Sequence, residues 1–192
     1  MRILNLSGRL AIEVEDGRAV DVATASEGRF GPEPQGVYAH WAEFRSWAAS
    51  ITADGASAFS VDDLGAPAPR PGQVFAVGLN YREHAEEAGL DLPEIPVVFT
   101  KFPASVAGPR TRITLPKGSV DFEVELVAVI GREVTAVAAA NAWDYIAGLT
   151  VGQDLSVGYA SHDRTTVELY LTESFTFRVL EDKAAILLRR VR

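Results

Sequence analysis

Asp121, Glu123 and Glu125 alternate with Phe122, Val124 and Leu126. On a strand, alternate side chains share a face, so the three acids point one way and the apolar residues the other. Acids about 7 Å apart along one strand repel each other, and burying them is costly without compensation. A hard cation bound through oxygen supplies that compensation. A solvated outer face on an edge strand does without it, and the residues alone leave both readings open. Asp154, in Gly152-Gln153-Asp154-Leu155-Ser156, stands at the end of an apolar run. It is either a third ligand or a turn residue. His84 and Glu87 lie three apart on a short helix, where a carboxylate can orient an imidazole as in a general base, or form an ordinary surface pair. His40 and His162 have no comparable setting, and three scattered histidines make no zinc site. Lys101 ends an apolar strand before Phe102-Pro103. It reads as a counter-charge to a substrate carboxylate or as a solvated strand end, and the residues alone favour the second.

The elements that carry these residues are legible from pattern. Arg9 to Val14 and Arg18 to Val22 alternate around Glu15-Asp16-Gly17 and predict a hairpin. A two-residue Asp16-Gly17 turn would set Ile12 against Asp21 and mix the faces. A three-residue loop with Gly17 left-handed sets Ile12 against Val20 and is preferred. Residues 27–37 are Gly- and Pro-rich loop, and Trp41, Phe44, Trp47 or Ala48, and Ile51 recur at helical spacing as a core-packing stripe. Asp62 to Gln73, with Pro67, Pro69 and Pro71, is an extended connector. Val74 to Leu79 reads as a strand, followed by a helix from Tyr81 to Ala88. Asn80 and Glu83 would form its capping box and Gly89 its stop. Pro96–Lys101, Val120–Ile130 and Tyr145–Val151 read as strands, and Ala136–Trp143 has helical composition. Mixed strands with few helices predict a β-rich α+β fold. Its expected divisions are a small amino-terminal α+β domain at 1–65, a strand-rich part at 66–158 and a tail at 159–192.

Composition narrows the function classes. The 192 residues are 47% hydrophobic and 23% charged, the balance of a globular chain able to bury a core. The net charge of −8 argues against a nucleic-acid partner, which needs clustered Lys and Arg. No run approaches the roughly 20 apolar residues of a membrane span. The first residues are too quickly polar for a signal peptide. There is no cysteine to form disulfides or thiolate sites, and the expected location is the cytoplasm. All 16 Gly and all 10 Pro fall at or before Gly158, whereas a stretch as long as 159–192 should hold roughly five or six of them. The tail is therefore one long regular element, a divergent ending or a frame-disrupted segment.

Four ordered motifs resemble the fumarylacetoacetate hydrolase (FAH) family. They are Gly78-Leu79-Asn80-Tyr81-Arg82-Glu83-His84-Ala85-Glu86-Glu87; Pro96 to Lys101 with Ser105; Pro116 with Asp121 to Leu126 and Val129-Ile130-Gly131; and Gly148-Leu149-Thr150-Val151-Gly152-Gln153-Asp154-Leu155-Ser156. The resemblance spans residues 67–156. It implies a small amino-terminal domain followed by an FAH-type mixed β-roll, usually assembled as a homodimer. It also implies that Glu123, Glu125 and Asp154 bind Mg2+ (or Mn2+ or Ca2+), that His84 and Glu87 form a water-activating dyad, and that Lys101 stabilises negative charge beside the substrate. Asn80, Tyr81 and Ser105 are the implied substrate contacts. The implied substrate is a small keto or enol acid, cleaved at a carbon–carbon bond as in acylpyruvate or fumarylacetoacetate hydrolysis, or else isomerised or decarboxylated.

After Ser156 the resemblance stops. Relatives continue with a Gly-Lys-Ser/Asn-Phe-Asp stretch, a Pro-x-Gly-Pro loop and a Thr-Gly contact, and none of these is present. Glu173-Ser174-Phe175 stands where a lysine stretch is expected, and Lys183 has no matching context. The competing reading is a shortened, catalytically impaired relative that binds metal or a partner without turnover. Pairing of residues 165–192 against Val120–Ile130 would close the roll and favour activity.

Overall fold

The computed structural model describes residues 1–114, 120–157 and 174–178. Pro116, His162, Glu173 and Lys183 lie outside them, as does most of the tail. Its strands form three sheets. The amino-terminal sheet comprises β1 (Arg2–Leu6), β2 (Arg9–Glu15), β3 (Arg18–Asp21), β4 (Ser57–Ala58) and β5 (Leu64–Gly65) in the order β4-β3-β2-β1-β5. A two-stranded sheet pairs β6 (Val74–Gly78) with β7 (Val97–Lys101). The third contains β8 (Val106–Ala107), β9 (Val120–Ile130), β10 (Ile146–Val157) and β11 (Ser174–Arg178) in the order β8-β11-β10-β9. The β11 strand pairs with β10 antiparallel and β8 parallel, not with Val120–Ile130. Short helices α1 (Val22–Ala25), α2 (Trp41–Ala48) and α3 (Arg82–Glu87) join them. No helix among the described residues is long and apolar enough to cross a membrane.

The β2–β3 hairpin combines both turns weighed above. Glu15 faces Arg18 across a two-residue Asp16-Gly17 tip, with Gly17 at φ +70°, and the register then shifts between Glu13 and Glu15 so that Ile12 meets Val20. One extra residue on β2 turns the mixed-face pairing into the matched one, which is what a bulge does. Leu10 and Ile12 thereby enter a core with Val22, Phe30, Val37, Phe44 and Ala48. Phe44 is fully buried and meets Phe30 edge-on at 5.4 Å, with Trp41 and Trp47 rings at 5.5 and 5.9 Å. The helical stripe at 41–51 is thus a packing stripe. The opposite face of the same sheet buries Leu4, Ala11 and Ala19. The connector is not wholly extended: it starts in a 3-10 turn at Val61–Asp63, and Leu64–Gly65 joins β1 as a strand.

Asp21 ends β3 and caps α1, accepting from the Thr24 N–H at 2.9 Å while Arg9 donates to both of its oxygens at 2.8 and 3.1 Å. The Arg9 bonds hold its carboxyl down at about 2, against the opposing effect of partial burial. The unfolded chain therefore binds the extra proton first, and the stabilisation is present above about pH 4 and lost as pH falls through about 2. The pair is partly exposed, so the contribution is about 1 kcal/mol. Asp21→Asn is expected to flatten the fall of the urea midpoint between these pH values. An unchanged slope would show that Arg9 does not hold the charge.

The β9–β10 hairpin is built against this core. Val129 and Ala147 pack on the amino-terminal cluster. Ala147 is the extra residue between the pairs Ile146–Ile130 and Gly148–Val129. A Cβ on Gly131 would lie 2.8 Å from the Ala147 Cβ and 3.1 Å from Trp41 Cδ1, so only glycine lets the hairpin close there. Facing outward along β9, Phe122, Val124 and Leu126 are 63%, 65% and 51% exposed.

Candidate metal centre

The alternation predicted for β9 holds: Glu123, Glu125, Val127 and Val129 are partly buried, while the residues between them are exposed. β10 runs antiparallel beside it and sets Asp154 directly across from Glu123, with Gly152 across from Glu125. Directly paired residues share a face, so Glu123, Glu125 and Asp154 belong to one surface of the sheet. Asp154 lies inside β10, which runs on to Val157. The turn reading of this residue is therefore corrected: Leu155 to Val157 continue the ladder opposite Phe122 to Val120. The side chain of Asp121 lies outside the described ones.

Two further groups reach this surface, one from β7 and one from the helix α3 between β6 and β7. Lys101, at the end of β7, is 3% exposed, and its Nζ lies 2.8 Å from Asp154 Oδ2 and 5.1 Å from the Phe99 ring centroid. The solvated strand end favoured by the residues alone is thus wrong. A strand-end lysine is buried here because a carboxylate on a neighbouring sheet neutralises it. His84, on α3, brings Nε2 to 4.0 Å from Glu123 Oε1. Glu87 is exposed and, among the described residues, makes no hydrogen bond or ion pair with His84. The carboxylate nearest the imidazole therefore comes from β9.

The helix carrying His84 starts one residue later than predicted. Leu79 takes φ +52°, which turns the chain after β6, and Tyr81 occupies the N-cap position without a side-chain cap. Asn80 and Glu83 therefore form no capping box. The stop is as expected: Gly89 is left-handed at φ +68°, and its N–H and that of Leu90 donate to Glu86 and Ala85. Tyr81 is 47% exposed at the helix entrance. Ser105 spends its hydroxyl on the Phe102 carbonyl at 2.7 Å, tightening the turn after Lys101.

Electrostatically the surface is strained in one direction. Burial raises the Glu125 carboxyl above its ordinary range, and Glu123 and Asp154 push it further, against Lys101 and His84. Asp154 Oδ1 is buried with no hydrogen-bond partner, as is the hydroxyl oxygen of Thr150. Thr150 shares the parity of Gly152 and Asp154 on β10, so its hydroxyl belongs to the same face. The Gly148–Ser156 motif contains Thr150 but assigns it no role, and its strand parity with Asp154 is the signal that marks it. As their side chains stand, no three acids or histidines among the described residues are gathered tightly enough to ligate one ion. The donor types nevertheless fit a hard divalent cation: three carboxylates on one face, one with an unsatisfied buried oxygen, and two on long side chains that can swing.

The fold is strand-rich and mixed, with three acids on one sheet face, an imidazole at its rim and a buried lysine against one of the acids. Residues 73–179, which carry every one of these side chains, match the fumarylacetoacetate (FAA) hydrolase C-terminal family, and the chain belongs to it. The FAH domain-containing protein 2 homolog of Dictyostelium discoideum is 48% identical over 88 residues, 45% of this chain and 29% of that protein. The crystal structure of a candidate HpcE protein from Mycobacterium smegmatis is 52% identical, with a TM-score of 0.73, over 82% of this chain and 56% of that one. Maleylpyruvate hydrolase from Sphingobium sp. SYK-6, solved with manganese(II) and pyruvate, shares the fold at 21% identity and a TM-score of 0.68, over 96% of this chain and 68% of that one. The chain thus spans under a third of the Dictyostelium relative and just over half of the mycobacterial one.

Proposed function

We propose that this chain forms the metal-binding side of an active site that hydrolyses a carbon–carbon bond in small keto or enol acids of the acylpyruvate or fumarylacetoacetate type. The observation that carries this is the register of β9 and β10, which sets Asp154 beside Glu123 and Glu125, with His84 4.0 Å from Glu123. Glu123, Glu125 and Asp154 would hold Mg2+, Mn2+ or Ca2+; the Sphingobium relative was solved with manganese(II). When bound, such an ion polarises a carbonyl oxygen and stabilises the negative charge developing on it.

The remaining steps belong to the protein. His84 accepts a proton from water as the water oxygen attacks the carbonyl carbon, and nearby Glu123 favours the resulting imidazolium. The carbon–carbon bond breaks with its electron pair leaving on the neighbouring carbon, which takes up a proton to give the second acid. Glu87, three residues along the helix, comes within reach of the imidazole by side-chain rotation. Asn80, Tyr81 and Ser105 would orient the substrate, and Lys101 keeps positive charge beneath it. Assembly is expected to be a homodimer, and the location cytoplasmic.

The test is turnover of acylpyruvates, oxaloacetate and a hydroxydienoate by the protein with Mg2+ or Mn2+. Glu123→Ala is expected to abolish the thermal stabilisation given by Mn2+, and an unchanged shift rejects the ligand set. His84→Ala is expected to keep that stabilisation and to lose on the order of a hundredfold in kcat. Equal rates in variant and parent would remove His84 from the chemistry. Mn2+ binding with no turnover of any of these acids would leave a metal-binding module in place of the enzyme.

A further inference from the structure

The contact between Lys101 and Asp154 differs from every other ion pair described here. The others leave at least one partner's side chain a third or more exposed, whereas these two are 2% and 11% exposed at 2.8 Å. Surface pairs contribute little, but a buried charge without its partner is severely penalised. The pair also joins two sheets, because Lys101 closes β7 while Asp154 lies mid-strand in β10. It engages only one oxygen of Asp154, leaving Oδ1 buried and unsatisfied. Three carboxylates less one ammonium leave two negative charges, the amount one divalent ion cancels.

We propose that Lys101 is the resident counter-charge of the metal centre: it holds Asp154 by Oδ2, reserves Oδ1 as the ligand, and keeps the site folded with or without an ion. Lys101 is thus a positioning residue acting through Asp154. Its ammonium does part of the neutralising that a divalent ion would otherwise do alone. It therefore weakens ion binding while removing the structural cost of an empty site, so that metal exchanges without unfolding the sheet. This rests on the metal-binding reading above.

Mn2+ titration followed by electron paramagnetic resonance, with thermal unfolding before and after chelation, tests it on the whole chain. Lys101→Met is expected to bind Mn2+ roughly tenfold more tightly than the parent, because a neighbouring positive charge is gone. Its chelated form should unfold at a lower temperature, and adding Asp154→Asn should restore that temperature while weakening Mn2+ binding. Lys101→Arg keeps the charge and should behave like the parent. If Lys101→Met folds only with Mn2+ present while Lys101→Arg survives chelation, the inference holds. Collapse of both variants alike overturns it. Unchanged or weaker Mn2+ binding by a folded Lys101→Met, or no restoration by Asp154→Asn, also overturns it and leaves the metal centre standing. No Mn2+ binding by the parent overturns the metal centre and the inference together.

Discussion

Asp154→Ala is expected to cost about 3–5 kcal/mol of folding stability, more than any other single change at the carboxylate face. The reason is what remains. Lys101 is 3% exposed, and the variant takes away the carboxylate oxygen that lies 2.8 Å from its buried ammonium. Urea unfolding of the chelated protein checks this. A loss below about 1 kcal/mol, the value of a surface pair, would mean that Lys101 finds solvent in the folded chain. The same variant should lose Mn2+ stabilisation, since the unsatisfied Oδ1 goes with the side chain.

Phe44→Ala is expected to cost a similar amount, about 3–5 kcal/mol, for an unrelated reason. Its ring is fully buried and touches Phe30, Trp41 and Trp47, three large rings that cannot all close on the cavity. Deleting it removes transfer energy and leaves a void beside aromatic neighbours of fixed shape. Trp41 and Trp47 also report the change, so unfolding followed by tryptophan fluorescence gives both the energy and the local loosening. Phe44→Leu should recover much of the loss. A Phe44→Ala cost under 1 kcal/mol would mean that the cluster collapses freely. Mn2+ binding should survive in the folded fraction, which separates this variant from Asp154→Ala.

The parts of this structure that sequence makes plain are those fixed by short-range periodicity. Period two in Asp121 to Leu126 specifies which side chains share a face, and period near 3.6 from Trp41 to Ile51 specifies a packing helix, because both follow from backbone geometry alone. The β2–β3 register was legible in its outcome, since only the pairing of Ile12 with Val20 buries one face cleanly. Its bulge was not, because two turn lengths with one compensating residue give the same alignment. Long-range facts were hidden. Nothing near Lys101 shows that Asp154, fifty-odd positions on, will neutralise it, so isolated reading favours solvent. The Asn80 cap failed because a left-handed Leu79 shifts the helix start, and nothing in leucine's chemistry advertises that. β1 does not stand out in the first residues, and β5 is hidden inside the Pro-rich connector, since a two-residue strand such as β5 is defined by its partner.

One parity runs along β9 from Phe122 to Ile130. Val129, at one end, is seated on the amino-terminal aromatic cluster, and Glu123 and Glu125, further back, turn the same way because an even number of steps separates them from it. The hydrophobic anchor therefore aims the acids, much as a key's bow fixes the direction of its teeth. Deleting a single residue between Val127 and Val129 would swing Phe122, Val124 and Leu126 inward and the acids out, without altering any residue that touches ion or substrate. Insertion of two residues would keep the direction and move only the reach.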